Sequence, residues 1–366
     1  MVIMYIYIVI LLLLFILGYV NVLRKIACKE KKVVFFCTIV FFWILSFIRW
    51  KTGTDWESYY DCFKLNISLS DFEDRGFEPF YTYLNYFIKQ LTSEYWFFLM
   101  ICGLIIFPLT GVTIFRFSPL PFVSLLMYLL LRKADIFFVR ESIALAFCFY
   151  AIRYIESRKL WMFLLFVFIG FQFHNSVIAF VPAYFIYHFN IDLKKSLIIL
   201  GTITLVMLLA QNVITSHFGQ IATLLGDSFL DKTDKYMERG YDSGGASSVF
   251  EAMTRGILNR CILLAVFLYS YKFHSKDLRY KGLLNMYLVS IAFFVILAPF
   301  SLTLNRIGNS YEMSAILLVG FVFNKIPQRY RGLFYVLFFI YIAIRFVAGT
   351  LFGVYSEDFL PFKTIF

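Results

Sequence analysis

Long uncharged apolar runs constrain this chain more than any motif does. Met1–Leu23 and Tyr95–Phe115 contain no Asp, Glu, Lys or Arg at all. A helix needs about 20 such residues to cross about 30 Å of hydrocarbon. A closed barrel is the other backbone arrangement that satisfies its polar groups in lipid. Barrel strands alternate lumen and lipid residues, whereas these runs are apolar all round, so a barrel is rejected. Charged residues make up 16% of the 366 residues, against about 25% in soluble domains. The expected fold is therefore all-α, a polytopic membrane helical bundle forming a single transmembrane domain over 1–366.

Hydropathy places about 12 spans, near 2–23, 33–50, 94–116, 119–132, 136–155, 160–173, 175–189, 196–215, 257–272, 282–302, 309–324 and 332–352. The spans at 119–132 and 160–189 are short. Gly170, His174 and Pro182 in the second stretch suggest a broken pair of helices, and broken backbone in a membrane usually lines a cavity. Met1–Leu23 lacks a basic leader and a small-residue cleavage site, so it reads as a retained first span.

The formal net charge of +11 invites a nucleic-acid reading, which the distribution of charge opposes. Alternate short loops hold 18 of the 34 Lys and Arg but only 4 of the 23 acids. Short basic loops stay in the cytoplasm, so both termini and the longer acidic segments are expected outside. Two such segments stand out. In 51–93, Phe77, Phe80, Tyr81, Leu84, Ile88 and Leu91 recur at helical spacing opposite Glu78, Thr82, Asn85 and Lys89, the pattern of an amphipathic surface helix. The stretch 216–256 contains Asp231, Asp234, Glu238, Asp242 and Gly244-Gly245, and reads as a polar loop, a candidate lid. Of the six cysteines only Cys62 falls in an outer loop, so no internal disulfide is expected, and no metal-ligand spacing occurs.

Charges at the outer ends of apolar spans are costly and tend to be functional. Arg49, Arg140, Arg255, Arg260 and Arg306 occupy such positions. Each alone reads equally well as a snorkelling helix end. Together they offer planar forks that hold phosphate groups without losing charge. The run from Arg49 to Tyr59 contains Gly53 for a tight turn, Asp55 and Trp56. Asp55 either caps the next helix or accepts a sugar hydroxyl proton. Trp56 and Tyr59 either stack on sugars or belong to an interfacial aromatic belt. His174 lies in the suspected helix break and suits proton transfer near neutral pH. Glu141, beside Arg140, pairs with an arginine or acts as a base.

These residues resemble the EpsG/Wzy-type polysaccharide polymerase family. The matching positions are Arg49, Gly53, Asp55 and Tyr59 after an early span, Arg140 opening a middle span, His174 with Ser176, and Arg306 followed by Tyr311. Two positions depart from the pattern: Glu141 stands where the family often has Gln, and Pro361-Phe362 where it often has Pro-Tyr. The resemblance implies a fold similar to the GT-C-class membrane glycosyltransferases, sited in the bacterial inner (cytoplasmic) membrane with its active site facing the periplasm or exterior. It implies transfer of oligosaccharide repeat units carried on undecaprenyl pyrophosphate, with no metal and no cofactor. A chain-length regulator and a flippase are the implied partners. On this reading His174 or Asp55 is the base. Arg140, Arg255, Arg260 and Arg306 hold the pyrophosphate, and Arg49, Trp56, Tyr59, Glu141 and Tyr311 bind substrate. An O-antigen ligase shares the donor lipid and the outward site. A lipid-linked oligosaccharide flippase is the transporter alternative, although no repeated halves are visible.

Overall fold

The computed structural model describes residues 5–24, 26–137, 139–190, 192–223, 249–300, 304–353 and 355–365. In chain order the helices begin with α1 (Tyr5–Leu23) and α2 (Cys28–Ile48), followed by a two-residue strand β1 (Arg49–Trp50). Three short helices follow, α3 (Trp56–Leu65), α4 (Leu69–Glu73) and α5 (Pro79–Leu91). Then come α6 (Tyr95–Phe117), α7 (Pro121–Arg132), α8 (Arg140–Glu156), α9 (Leu160–Phe171), a 3₁₀ turn at Asn175–Phe180 and α10 (Ala183–Ile186). The remainder is α11 (Leu193–Thr223), α12 (Val249–His274), α13 (Leu278–Leu297), a 3₁₀ turn at Leu304–Gly308, α14 (Asn309–Glu312), α15 (Ser314–Lys325), α16 (Gln328–Leu351), α17 (Ser356–Phe359) and β2 (Lys363–Thr364).

The chain is all-α, and the helices at the expected span positions differ widely in length. Among the described residues, 7 helices are long and apolar enough to cross a membrane: α1, α2, α6, α13, α16 and the apolar parts of α11 and α12. The segments expected to span at 119–132 and 160–173 are helices of 12 residues each. At about 1.5 Å per residue these reach about 18 Å, well short of the hydrocarbon thickness. The stretch expected to span at 175–189 divides into a 3₁₀ turn and a four-residue helix. For α7 the shortness is tolerated because protein surrounds the helix. Every residue of α7 from Pro121 to Leu129 is buried, and so are ten of the 17 in α8. The candidate lid acids Asp231, Asp234, Glu238 and Asp242 lie outside the described residues.

Two compact units are present, one built from residues 1–184 with 315–366, the other from 185–314. In the first, α7 packs against α1, α6 and α16, while α6 also packs against α2 and α8, and α8 against α9. Tyr335 of α16 donates to the Leu14 carbonyl of α1 at 2.9 Å. Strands β1 and β2 pair antiparallel, Arg49 opposite Thr364 and Trp50 opposite Lys363. Tyr7 Oη donates to the Phe359 carbonyl at 2.6 Å, the Gly53 amide donates to the Asp358 carbonyl at 2.7 Å, and the Phe80 amide to the Gln172 carbonyl at 3.0 Å. The start of α1, the end of α2, the 49–94 segment, the end of α9 and the C-terminal segment therefore share one end of this unit. The basic starts of α2 and α16 and the basic end of α8 lie at the other, as alternating helices require.

Within the 49–94 segment, α5 buries Tyr81, Thr82, Asn85 and Ile88 and exposes Phe80, Tyr83, Phe87 and Leu91. The buried stripe thus includes residues read from sequence as its polar face. Asn85 is accommodated because its Nδ2 donates to the Tyr81 carbonyl at 2.7 Å.

In the second unit α13 packs against α11, α12 and the 304–312 turn. Asp277 caps α13 by accepting the Arg279 and Tyr280 amides. Asn285 Nδ2 donates to the Ile186 and Phe189 carbonyls at 3.1 and 2.9 Å.

Candidate functional site

The turn after α2 is built around a buried arginine. Arg49 is 2% exposed; its Nε donates to the Ser46 carbonyl at 3.1 Å and its Nη1 to that of Thr52 at 2.5 Å. Gly53 has φ +112°, and a Cβ there would sit 2.9 Å from Arg49 Nη1 and 3.1 Å from the Phe137 carbonyl. Glycine is needed both for the dihedral and for the space. Arg49, expected to bind substrate, is therefore a post that shapes the turn, its fork facing main-chain carbonyls.

Asp55 opens α3 as N-cap residue, without a side-chain capping hydrogen bond, and is partly exposed. Trp56, expected on a sugar, is instead 2% exposed. It stacks on Tyr60 at 4.7 Å and meets Trp50 and Tyr95 edge-on at 4.9 and 5.5 Å. Tyr59 makes edge contacts with Phe77 and Tyr81 at 5.9 and 5.7 Å.

Glu78 is the hub of this end of the unit. Its Oε2 accepts Arg140 Nη1 at 2.7 Å and its Oε1 the Asn175 amide at 2.9 Å. One carboxylate thereby joins the start of α8 to the turn that carries His174. The Arg140 guanidinium lies over the Phe77 ring at 4.6 Å, and its side chain remains 18% exposed. His174 is the N-cap of the 3₁₀ turn. Its Nδ1 lies 2.8 Å from Ser176 Oγ and accepts the Ser176 amide at 3.3 Å. With Nδ1 accepting, the neutral ring carries its proton on Nε2.

The segment leading into α8 holds a buried ionic cluster. Asp135 Oδ1 accepts Arg132 Nε at 3.2 Å and Ser142 Oγ at 2.6 Å, while its Oδ2 accepts Tyr128 Oη at 2.7 Å. Glu141 lies 3.6 Å from Arg132 Nη1, so the pairing reading of Glu141 describes its position and Arg132 is its partner. Lys133, Ala134 and Asp135 are consecutive left-handed residues with φ of 47°, 52° and 50°, none of them glycine. Such backbone costs about 1–3 kcal/mol per residue and persists only where the surroundings enforce it. Here the Arg132–Asp135 pair does so from one side. On the other, Lys133 Nζ sits 3.3 Å from the centre of the Phe359 ring. Burial there pulls the Lys133 ammonium down to about 7, against the smaller opposing pull of Asp358. The Asp358 carboxyl is itself raised, mainly by burial, with Glu357, Asp55 and Glu57 adding to it.

The second unit holds the other expected arginines. Arg260 Nη2 lies 3.0 Å from Glu312 Oε1, and the side chain is 19% exposed. Its guanidinium covers the Phe294 ring at 3.8 Å. This repeats the Arg140–Glu78–Phe77 arrangement: one carboxylate fixes the fork, one ring supports its face, and part of the group stays open. Arg255 is different, a 60% exposed partner of Glu251 one turn away. Arg306 is exposed in its 3₁₀ turn and forms no ion pair with a described residue. Tyr311, expected to bind substrate, is 0% exposed and packs on Phe293 at 5.5 Å.

Sequence reasoning missed Glu78, Arg132 and Glu312. The only available signal was the rarity of uncompensated charge beside apolar runs, which asks for a carboxylate near each arginine without saying which one.

A multi-pass helical membrane protein with pre-oriented arginines is the class these features define. The chain matches the EpsG family over residues 32–364 and belongs to it, a family of polysaccharide polymerase-type membrane proteins. No curated protein and no solved structure matches the chain.

Proposed function

We propose that this protein joins oligosaccharide repeat units carried on undecaprenyl pyrophosphate, at the outer face of the bacterial cytoplasmic membrane. The expected likeness to GT-C-class glycosyltransferases belongs to the same reading. In the reaction a hydroxyl of one unit attacks the anomeric carbon of another. The new C–O bond forms as the bond to the pyrophosphate oxygen breaks, and the leaving group takes the electron pair. Proximity and charge stabilisation do most of the work in such a transfer.

The observation that carries this is the Arg140–Glu78–Asn175 tie, which brings a part-exposed guanidinium and the His174 turn to one end of one unit. Arg140 receives the developing phosphate charge. His174, with its proton on Nε2, is better suited to donate to the leaving phosphate than to accept a proton. Asp55, uncommitted to its helix cap, takes the hydroxyl proton. Tyr59 lines the acceptor side, and Arg260 and Arg306 are the candidate phosphate donors of the second unit.

The test is polysaccharide production in a deletion strain complemented with variants. His174→Ala, Asp55→Asn and Arg140→Ala each leave single repeat units in place of a ladder, with protein still present in the membrane. Full ladders from all three remove the assignment. An impermeant thiol reagent applied to intact cells labels cysteines placed at 55 and 174 and spares one at 158; the reverse pattern overturns the outward site.

A further inference from the structure

A groove of about 640 Å³ runs between α2 and α6 on the first unit. We propose that it binds one anionic phospholipid, with the acyl chain along the groove and the phosphate at Lys32 and Arg116. The groove stands apart from the proposed glycosyl transfer and does not depend on it.

Its walls are apolar and open outward: Phe36 is 65%, Leu104 47% and Val112 50% exposed. Trp43 closes one end, lying against Gly103 and donating Nε1 to the Met100 carbonyl at 3.0 Å. Lys32 and Arg116 line the groove and are exposed. Neither forms an ion pair with a described residue, and Glu30, on the first turn of α2, pairs with neither. From Lys32 to Trp43 the helix rises about 16 Å, close to the depth of one leaflet, about 15 Å. The groove therefore has the length of one acyl chain and a cationic mouth at headgroup level.

Charge selects the occupant. A second copy packed symmetrically here would set Lys32 and Arg116 against the same cations. A polyprenyl pyrophosphate bound for the proposed reaction has its phosphates at the Arg140 end, and the Lys32 end of α2 is the opposite one. Anionic headgroups near a membrane surface contribute about 1 kcal/mol per basic residue, so two residues give about a thirty-fold preference.

Native mass spectrometry of the full-length protein in detergent, with phosphatidylglycerol or phosphatidylethanolamine added, tests this. Wild type is expected to retain one phosphatidylglycerol in preference to phosphatidylethanolamine. Lys32→Gln with Arg116→Gln weakens retention by about thirty-fold. Val112→Trp fills the groove while leaving both charges, and also abolishes retention. Elution as a single symmetric peak shows that each variant is folded. Equal retention of both lipids, unchanged phosphatidylglycerol in either variant, tighter retention of undecaprenyl phosphate, or a dimer lost on Val112→Trp overturns the proposal.

Discussion

Removing the Glu78 carboxylate perturbs the candidate site with the least change elsewhere. Glu78 accepts two hydrogen bonds, one from a charged guanidinium and one from the amide that begins the His174 turn. Its side chain is 9% exposed and that of Arg140 18%. Breaking a fully buried ion pair from one side costs about 3–5 kcal/mol; partial exposure of Arg140 brings this toward the lower end, about 2–3 kcal/mol. Glu78→Gln keeps the shape and an acceptor for one donor, and loses about 1.5 kcal/mol from the charged bond. If the pair positions Arg140 for the transferred phosphate, those values enter the transition state. Rates then fall by about ten-fold for Glu78→Gln and about one hundred-fold for Glu78→Ala. Chain-growth rate in membrane vesicles, normalised to protein present, reads this directly. A structural role alone would lower Tm and yield without changing the rate per folded molecule. Glu78→Ala polymerising at the wild-type rate would refute the reasoning.

Gly53→Ala forces a Cβ against Arg49 Nη1 at positive φ; a loss of about 1–3 kcal/mol appears as a lower unfolding temperature in detergent, with Gly53→Asn less affected than Gly53→Val. Arg260→Ala is expected to stop chain growth, whereas Arg255→Ala, an exposed i,i+4 pair worth about 0.5 kcal/mol, leaves most of it; equal effects would contradict the distinction. Lys133 binds its proton less tightly folded than unfolded, so it adds stability as pH rises from about 7 toward about 10.4. Lys133→Met removes that rise, which unfolding temperatures measured across the interval will show.

Much of the architecture was legible because lipid demands unbroken apolar length. The segments of α1 and α6 announce themselves by lacking charge over a full crossing, and those of α2 and α16 by high hydropathy with few charges. Helix length is not legible where protein replaces lipid around a helix: α7 is buried on all sides, and a buried helix needs no particular length. The arginines were visible as costly charges, but not their status. Arg49 and Arg140 look alike in sequence, yet one is sealed by main-chain carbonyls and the other is held half-open by a carboxylate 62 residues away. Helical periodicity ranks polar residues as outward and so puts Glu78 on a solvent-facing stripe, a rule that pairing with Arg140 overrides. The left-handed run at Lys133–Asp135 carries no glycine and so gave no turn signal. Trp56 and Tyr311 fit a binding face and a core equally well by composition; packing alone placed them in the core.

Sugar joining from a lipid pyrophosphate is most directly measured in proteoliposomes containing only this protein and purified undecaprenyl-pyrophosphate-linked repeat units. The account predicts lengthening chains with one undecaprenyl pyrophosphate released per linkage, and neither product with the Arg140→Ala protein. Units that remain single while crossing the bilayer, or chains that grow equally well with Arg140→Ala, would contradict it.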